Sequence, residues 1–291
     1  MLDANTFTDE NVSKYLNQNF INLKIDADSQ YGRKLFSEYN GTGYPLLLFL
    51  DPKKNELERF YGFLEPELFL QKLIDIQNGK NTFPILQAQY DAGDNSAETM
   101  SILASKYAER GNDSLAAMLY QKIILSKNVS SNMFFEAKYF LSSQKLKTGI
   151  TAELENYIRT YSESPFLKDA VNQLLNYYQK NELIDNEILY FKKYIEIFSN
   201  DPWFLNQFSW RMTEINLNLD LALTKINHAL NIIGPDENGV ANIIDTKAEV
   251  LWKLGQIDEA IKTIENAILL DPSNEYYLNQ KEKFIETKKS I

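Results

Sequence analysis

The sequence contains no cysteine and a single histidine, His228. Without a thiol there is no disulfide, no thiolate nucleophile and no Cys-ligated zinc or iron–sulfur cluster. A lone histidine without a nearby nucleophile or metal ligands is typical of a solvated or packing side chain. Gly-rich phosphate loops and the G-x-S-x-G and H-E-x-x-H motifs are missing as well. The sequence therefore predicts no catalytic residues, no metal and no cofactor.

Basic side chains are also in deficit, with 30 against 40 acidic ones and a net charge of −10. The resulting field repels nucleic-acid phosphates and anionic lipid surfaces. No apolar run approaches the ~20 residues of a membrane-spanning helix. The N-terminus, MLDANTFTDENVSKYL, has neither the basic start nor the apolar core of a secretory signal. For the chain as written we expect no nucleic acid, no membrane insertion and a cytoplasmic location.

Hydrophobic residues make up 44% of the 291 residues, which is ordinary for a folded protein, and the length is sufficient for roughly two domains. Up to residue 79 the pattern alternates between helix and strand. The apolar run of PLLLFLD predicts a strand covered on both faces. Asp26 and Asp28 follow a predicted strand and are typical of turn and cap residues rather than of a metal pair. The predicted order is helix, strand, helix, strand, strand and helix, in the segments FTDENVSKYLNQ, FINLKID, YGRKLFSEYNG, PLLLFLD, ELERFYGF and PELFLQKLIDIQNG.

After a linker predicted at residues 80–94, strand signals stop and amphipathic helices continue to the end. One spacing occurs three times, in Gly111, Ala116, Tyr120 and Ile123, in Leu217, Ala222, Ile226 and Ala229, and in Gly255, Ala260, Ile264 and Ala267. Small residues at such positions let two helices approach closely, and a period near ~34 residues is typical of helical repeats. The pattern predicts about five helix pairs and a terminal helix that covers the open end of the stack.

This half resembles the tetratricopeptide repeat (TPR) family. The best matches to its helix–turn–helix pattern are ASKYAERGNDSLAAMLYQKII and AEVLWKLGQIDEAIKTIENAILLDP. Tyr190 stands where a small residue is usual, so the central repeats are degenerate. The resemblance implies that the first helix of each pair lines a groove that receives a peptide or helix of a protein partner. It makes Gln207, Arg211, Asp245 and Glu249 the candidate groove residues.

Residues 1 to about 78 resemble the thioredoxin-like fold from its second helix onward, in TFTDENVSKYLNQNFINLKIDAD, GTGYPLLLFLD and FYGFLEPELFLQKL. The resemblance implies a cis peptide bond between Tyr44 and Pro45, beside which an extended peptide pairs with the backbone of Tyr44. In that family a central strand and its CxxC motif precede the helix at which this sequence begins. Leaving out a central strand would leave two apolar strand edges without partners.

Two interpretations follow. In the first, the chain is a non-catalytic interaction module of a thiol–disulfide oxidoreductase-type protein. Its signal peptide and CxxC segment then lie upstream of Met1, and the full protein is periplasmic or exported. In the second, a decayed thioredoxin-like unit caps a pure TPR scaffold that assembles protein complexes. In either case these residues cannot exchange disulfides, because no thiolate can attack. The expected fold class is an α/β partial thioredoxin-like domain at residues 1–79, followed after the linker by an all-α TPR-like superhelix at residues 95–291.

Overall fold

The computed structural model describes residues 2–234 and 239–290, most of which are helical. A short π-helix, Leu2–Thr6, precedes two helices, a β-hairpin and a run of further helices. The chain divides into two compact units, the first ending at Leu174 and the second beginning at Leu175.

The bounds of the hairpin strands and of the helices in residues up to 180 are β1 Leu46–Leu50, β2 Glu56–Tyr61, α1 Glu10–Asn19, α2 Gln30–Glu38, α3 Pro66–Gln77, α4 Phe83–Asp91, α5 Ala97–Glu109, α6 Asp113–Leu125, α7 Ser131–Lys147, α8 Ala152–Thr160 and α9 Leu167–Lys180. The helices that follow are α10 Ile184–Ile197, α11 Pro202–Ile215, α12 Leu219–Ile232, α13 Val240–Lys253, α14 Ile257–Leu270 and α15 Glu275–Lys289.

The helices predicted before residue 79 are confirmed, and local chemistry explains their ends. Asp9 caps α1 by accepting hydrogen bonds from the amides of Asn11 and Val12, both at 3.0 Å. Pro66 is the first residue of α3. Proline is tolerated there because the N–H groups of the first turn have no hydrogen-bond partner within the helix. Both helices contribute to one apolar core, which consists of Val12, Phe60, Phe69, Leu73 and Ile76.

The strand predicted for FINLKID is wrong. Residues 20–26 have no regular structure, and Ile21 and Leu23 are 94% and 80% exposed. A strand needs a neighbour for its backbone groups, and in the described ranges the sheet consists of β1 and β2 alone. The expectation that β1 is covered on both faces is also wrong, since it is only partly buried and Leu50 is exposed. The structure thus shows a small antiparallel hairpin where a thioredoxin-like sheet was expected.

Turn chemistry holds this hairpin and the neighbouring loop. The Asp51 carboxylate accepts the amides of Lys53 and Asn55, both at 2.8 Å, and so closes the turn between the strands. Asp26 plays the turn role predicted for it, because its carboxylate accepts the amide of Asp28 at 2.9 Å.

The predicted repeat spacing is confirmed at its buried positions. The residues that recur after each helical turn all have at most 2% exposure: Ala116, Tyr120, Ile123, Ala222, Ile226, Ala229, Ala260, Ile264 and Ala267. In the described part of the chain the helices from α5 onward follow one another as five consecutive pairs, α5–α6 to α13–α14, and then α15. The segment predicted as a linker contains α4, and Leu86 of α4 is buried in a core with residues of α5 and α6.

Across residues 2–234 and 239–290, no helix combines the length and apolar character needed to cross a membrane.

Candidate binding surfaces

The loop before β1 presents an exposed tyrosine beside a cis proline. The Tyr44–Pro45 peptide bond is cis, the isomer that the resemblance implies. Tyr44 is 61% exposed, and its ring stacks on Phe36 with 4.5 Å between centroids. The Pro45 carbonyl accepts the Gly62 amide at 3.1 Å, so the loop is joined to the end of β2. Tyr44 therefore offers an aromatic face to solvent from a fixed position.

The edge of β1 next to this loop is open within the described chain. β1 pairs with β2 in antiparallel register, with Leu46 opposite Tyr61 and Leu48 opposite Arg59. Antiparallel ladders alternate between hydrogen-bonded and non-hydrogen-bonded pairs. Because Gly62 bonds to Pro45, Leu46 and Leu48 fall at the non-bonded positions and direct their backbone groups away from β2. An extended peptide could pair with these groups.

A cluster of buried and partly buried charges connects the hairpin to α5, and sequence reasoning missed it. We call Glu56, Glu58, Arg59, Lys106 and Arg110 the hairpin–α5 ion cluster. Glu58 and Lys106 form an ion pair in which both side chains are buried. Arg110 Nη2 lies 2.6 Å from Glu56 Oε1.

Arg59 completes the hairpin–α5 ion cluster by binding both carboxylate and backbone. Its Nε donates to Glu56 Oε1 at 2.7 Å, and its NH2 group donates to the Tyr39 carbonyl at 2.7 Å. The Tyr61 hydroxyl donates to the Glu109 carbonyl at 3.2 Å. The hairpin is thus joined to the first helix of the repeat array by charge-assisted and neutral hydrogen bonds together.

Burial shifts the pKa of Lys106 and that of a glutamate next to the cluster. It lowers the pKa of Lys106 despite the attraction of Glu58, and it raises the pKa of the neighbouring Glu109. The available sequence signal was the E-L-E-R run of β2, whose Glu58 and Arg59 lie next to the core residue Phe60. Three consecutive buried residues show that both faces of β2 are covered at its middle.

In the second unit, Gln207 and Arg211 lie one turn apart on α11, and Gln207 is half-buried. Arg211 is already engaged inside the chain. Its Nε donates to Glu187 Oε1 at 2.8 Å, and its NH1 group donates to Glu214 Oε2 at 3.0 Å. A ligand that binds Arg211 must therefore share it with two carboxylates.

Asp245 and Glu249 lie one turn apart on α13, and the structure brings them together beneath α15. They are 5% and 7% exposed. Gln280 Nε2 lies 3.5 Å from Asp245 Oδ1 and 3.3 Å from Glu249 Oε2, and Lys283 Nζ lies 2.5 Å from Glu249 Oε2. Burial, and then the charge of Glu249, raise the pKa of Asp245 to about 6. These carboxylates contact another helix of the chain, a feature that their position in the repeat did not reveal.

His228 is exposed on α12, in line with the solvated side chain predicted for it.

Comparisons with known proteins bear on the helical half most directly. The tetratricopeptide repeat family model matches residues 241–274. Part of the chain, 80 residues, is 30% identical to plant UBX domain-containing protein 7 of Arabidopsis thaliana, which covers 27% of this chain and 17% of that protein. The chain therefore spans less than a fifth of the length of this curated relative.

Several solved structures are similar in part. The TPR protein YrrB, whose structure is described as having an unusual peptide-binding site, has 16% identity and a TM-score of 0.47 over 68% of this chain and 97% of its own. The Naa15/Naa10 structure bound to HypK-THB has 14% identity and a TM-score of 0.41 over 76% of this chain and 35% of its own. Scores below 0.5 do not establish a shared fold by themselves. What the matched segment establishes is local: residues 241–274, which include nearly all of α13 and α14, are a tetratricopeptide-type helix pair.

Proposed function

We propose that this chain is a protein-interaction scaffold, in which tetratricopeptide-type helix pairs bind a segment of a partner protein and the N-terminal hairpin unit caps the first pair. The observation that carries the proposal is the matched repeat at residues 241–274, within helix pairs whose small residues are buried at the predicted spacing. Repeats of this type present extended surfaces suited to a peptide or helix.

The capping role is supported by the hairpin–α5 ion cluster. End repeats need a unit that covers their open face. Here the hairpin places Glu56 and Glu58 against Lys106 and Arg110 of α5. An unrelated domain on a flexible linker has no need of buried charge pairs with the repeat.

The scaffold proposal can be tested with peptides selected from a random display library on the full chain. We expect Gln207→Lys to weaken binding of a selected peptide about tenfold, because a long cation then enters the proposed groove on α11. Fluorescence anisotropy of the labelled peptide measures the dissociation constant.

His228→Lys is the matched control, since it adds the same side chain at an exposed site on the second helix of the same pair. Equal binding by both variants would place the ligand outside the proposed groove. Failure to select any peptide that binds more tightly than about 1 mM would contradict the scaffold function itself.

A second candidate function, favoured by the exposed Tyr44 and the open edge of β1, is the holding of an extended peptide without redox chemistry. Such a role is what the resemblance to the thioredoxin-like fold implies for the loop at Tyr44 and Pro45. We expect Tyr44→Ala to lower the affinity for an extended peptide at least fivefold. Tyr31→Ala is the control, because it removes a tyrosine of similar exposure (65% against 61%), and it should leave the affinity unchanged.

Amide chemical shifts provide the direct readout for this second site. On titration with the peptide, the largest changes are expected at Leu46 and Leu48, whose backbone groups face the open edge. Changes confined to α11 and α13 would assign the peptide to the repeats instead.

A further inference from the structure

The interface between α13 and α15 contains an unbalanced set of charges. Two carboxylates of α13, Asp245 and Glu249, are buried there. Lys283 is the cation of α15 that contacts them, and its bond goes to Glu249. Asp245 has an amide group of Gln280 at 3.5 Å instead. Asp245 is therefore the carboxylate whose ionisation is least compensated.

The groups that act on Asp245 come from its own helix and from α15. Glu249 opposes its ionisation, whereas the Tyr276 hydroxyl, Gln280 and Lys283 favour it. Burial is the largest influence and opposes it too. Burial, and then the charge of Asp245, raise the pKa of Tyr277.

Ion pairs engage several charged side chains on the other helices around α13. Four of these ion pairs are Arg211 with Glu214 on α11, Lys225 of α12 with Glu196, Asp258 of α14 with Lys288, and Glu265 of α14 with Lys281. The buried polar residues of α11 are neutral: Ser209 donates to the carbonyls of Leu205 and Ala222, and Thr213 donates to that of Trp210.

The same interface has an apolar part that holds α15 in place. Tyr277 and Phe284 of α15 are buried in a core with Ala248 and Leu251 of α13 and residues of α14. Trp252 Nε1 donates to Thr287 Oγ1 at 3.0 Å. The apolar contacts favour docking of α15 at every pH, so the charge on the acidic pair sets how strongly it is docked.

We propose that α15 is a pH-responsive closure of this unit: it packs firmly on α13 while Asp245 carries a proton, and it loosens when Asp245 loses that proton beside Glu249. The inference does not rest on the proposed function.

The direction follows from linkage. With α15 docked, the pKa of Asp245 is about 6, above its ordinary value of 3.8. The extra stability of the docked state is fully present below pH 3.8 and is lost as the pH rises through about 6. A difference of this size changes the opening equilibrium of α15 roughly 100-fold.

Hydrogen exchange of the full chain measures this opening. After correction for intrinsic exchange rates, we expect the opening constant of residues 275–289 to rise roughly 25-fold between pH 4.5 and 7.5, because the rest of the change lies below pH 4.5, while α6 shows no such change. Asp245→Asn is expected to remove the pH dependence and to keep α15 protected at pH 7.5.

Asp258→Asn is the matched control, because Asp258 also pairs with α15, 2.5 Å from Lys288 Nζ, but on the exposed surface. It should keep the wild-type pH profile. The proposal would be overturned if protection of the α15 amides from exchange did not change with pH in the wild type. A pH dependence that survives Asp245→Asn would overturn it as well. If Asp245→Asn does not fold, a pH titration of the Asp245 carboxyl carbon-13 chemical shift in the wild type gives the answer. A titration midpoint between pH 5 and 7 supports the closure, and a midpoint below pH 5 overturns it.

Discussion

Lys106 has an unusual environment for a lysine. Lysine is almost never fully buried unless paired, and here both members of the Lys106–Glu58 pair are buried. The lowered pKa of Lys106 shows that the cost of removing its charge from water exceeds the attraction of Glu58. A pair of this kind adds little net stability when intact but is costly to break from one side.

Replacing Lys106 alone tests this cost. We expect Lys106→Met to lower the free energy of unfolding by about 3 kcal/mol, because the buried Glu58 would lose its lysine partner and keep only the more distant Arg110, at 3.7 Å. Urea denaturation followed by circular dichroism measures the change.

Two further variants make the interpretation specific. Lys147→Met breaks an exposed pair, in which Lys147 Nζ lies 2.7 Å from Asp113 Oδ2, and should change stability by less than about 1 kcal/mol. The double variant Glu58→Leu/Lys106→Leu should recover most of the loss, since replacing both partners removes the buried charge. Equal losses in Lys106→Met and Lys147→Met would show that burial of the pair is unimportant.

At the scale of elements, the turn inside each helix pair contains a residue with left-handed backbone. Glycine occupies this position in the α5–α6, α7–α8 and α13–α14 turns, as Gly111, Gly149 and Gly255. Asn216 and Asn218 serve the α11–α12 turn, and Glu182 stands in the α9–α10 turn with φ of 56°. Glycine and asparagine adopt this conformation at little cost, whereas glutamate does not.

A reciprocal exchange of turn residues tests this conformational cost. Glu182→Gly should stabilise the protein by about 0.5–1 kcal/mol, because it relieves the strained backbone at Glu182. Gly255→Glu should destabilise it by about 1 kcal/mol, because φ at Gly255 is 77° although there is open space for a side chain. Thermal unfolding measures both, and shifts in the same direction would contradict the explanation.

At the scale of the whole molecule, the division into units differs from the boundary that the sequence predicts. The sequence suggests a boundary at residues 80–94, where the structure has α4 in a core with α5 and α6. The first compact unit extends to Leu174 and contains the hairpin together with α5. Because the hairpin–α5 ion cluster is buried, separating the two parts would expose or unpair several charges.

We therefore expect β1, β2 and α5 to open as one cooperative unit. Native-state hydrogen exchange in low denaturant should give the same opening free energy, within about 0.5 kcal/mol, for the amides of residues 46–61 and 97–109. A hairpin that opens at a much lower free energy than α5 would instead support an independent domain at residues 1–79.

The repeat half could be predicted from the sequence because its determinants are local and periodic. Ala260, Ile264 and Ala267 are buried as the spacing requires, and such spacing places residues on one helix face whatever the rest of the chain does. The segment around Ile21 could not be predicted in this way. Its alternating pattern is that of a strand, but pairing requires a neighbour that the described chain does not supply.

By itself, the sequence determined most of the helices, α4 being an exception, as well as the small residues that lie between them and the chemistry that the lack of cysteine excludes. Each of these depends on residue type and near-neighbour spacing. The tertiary structure alone decided that Glu58 faces Lys106 and that α15 buries Asp245 and Glu249. Those contacts join residues 48, 35 and 31 positions apart, and the pKa of a carboxyl depends on which distant groups the fold brings to it.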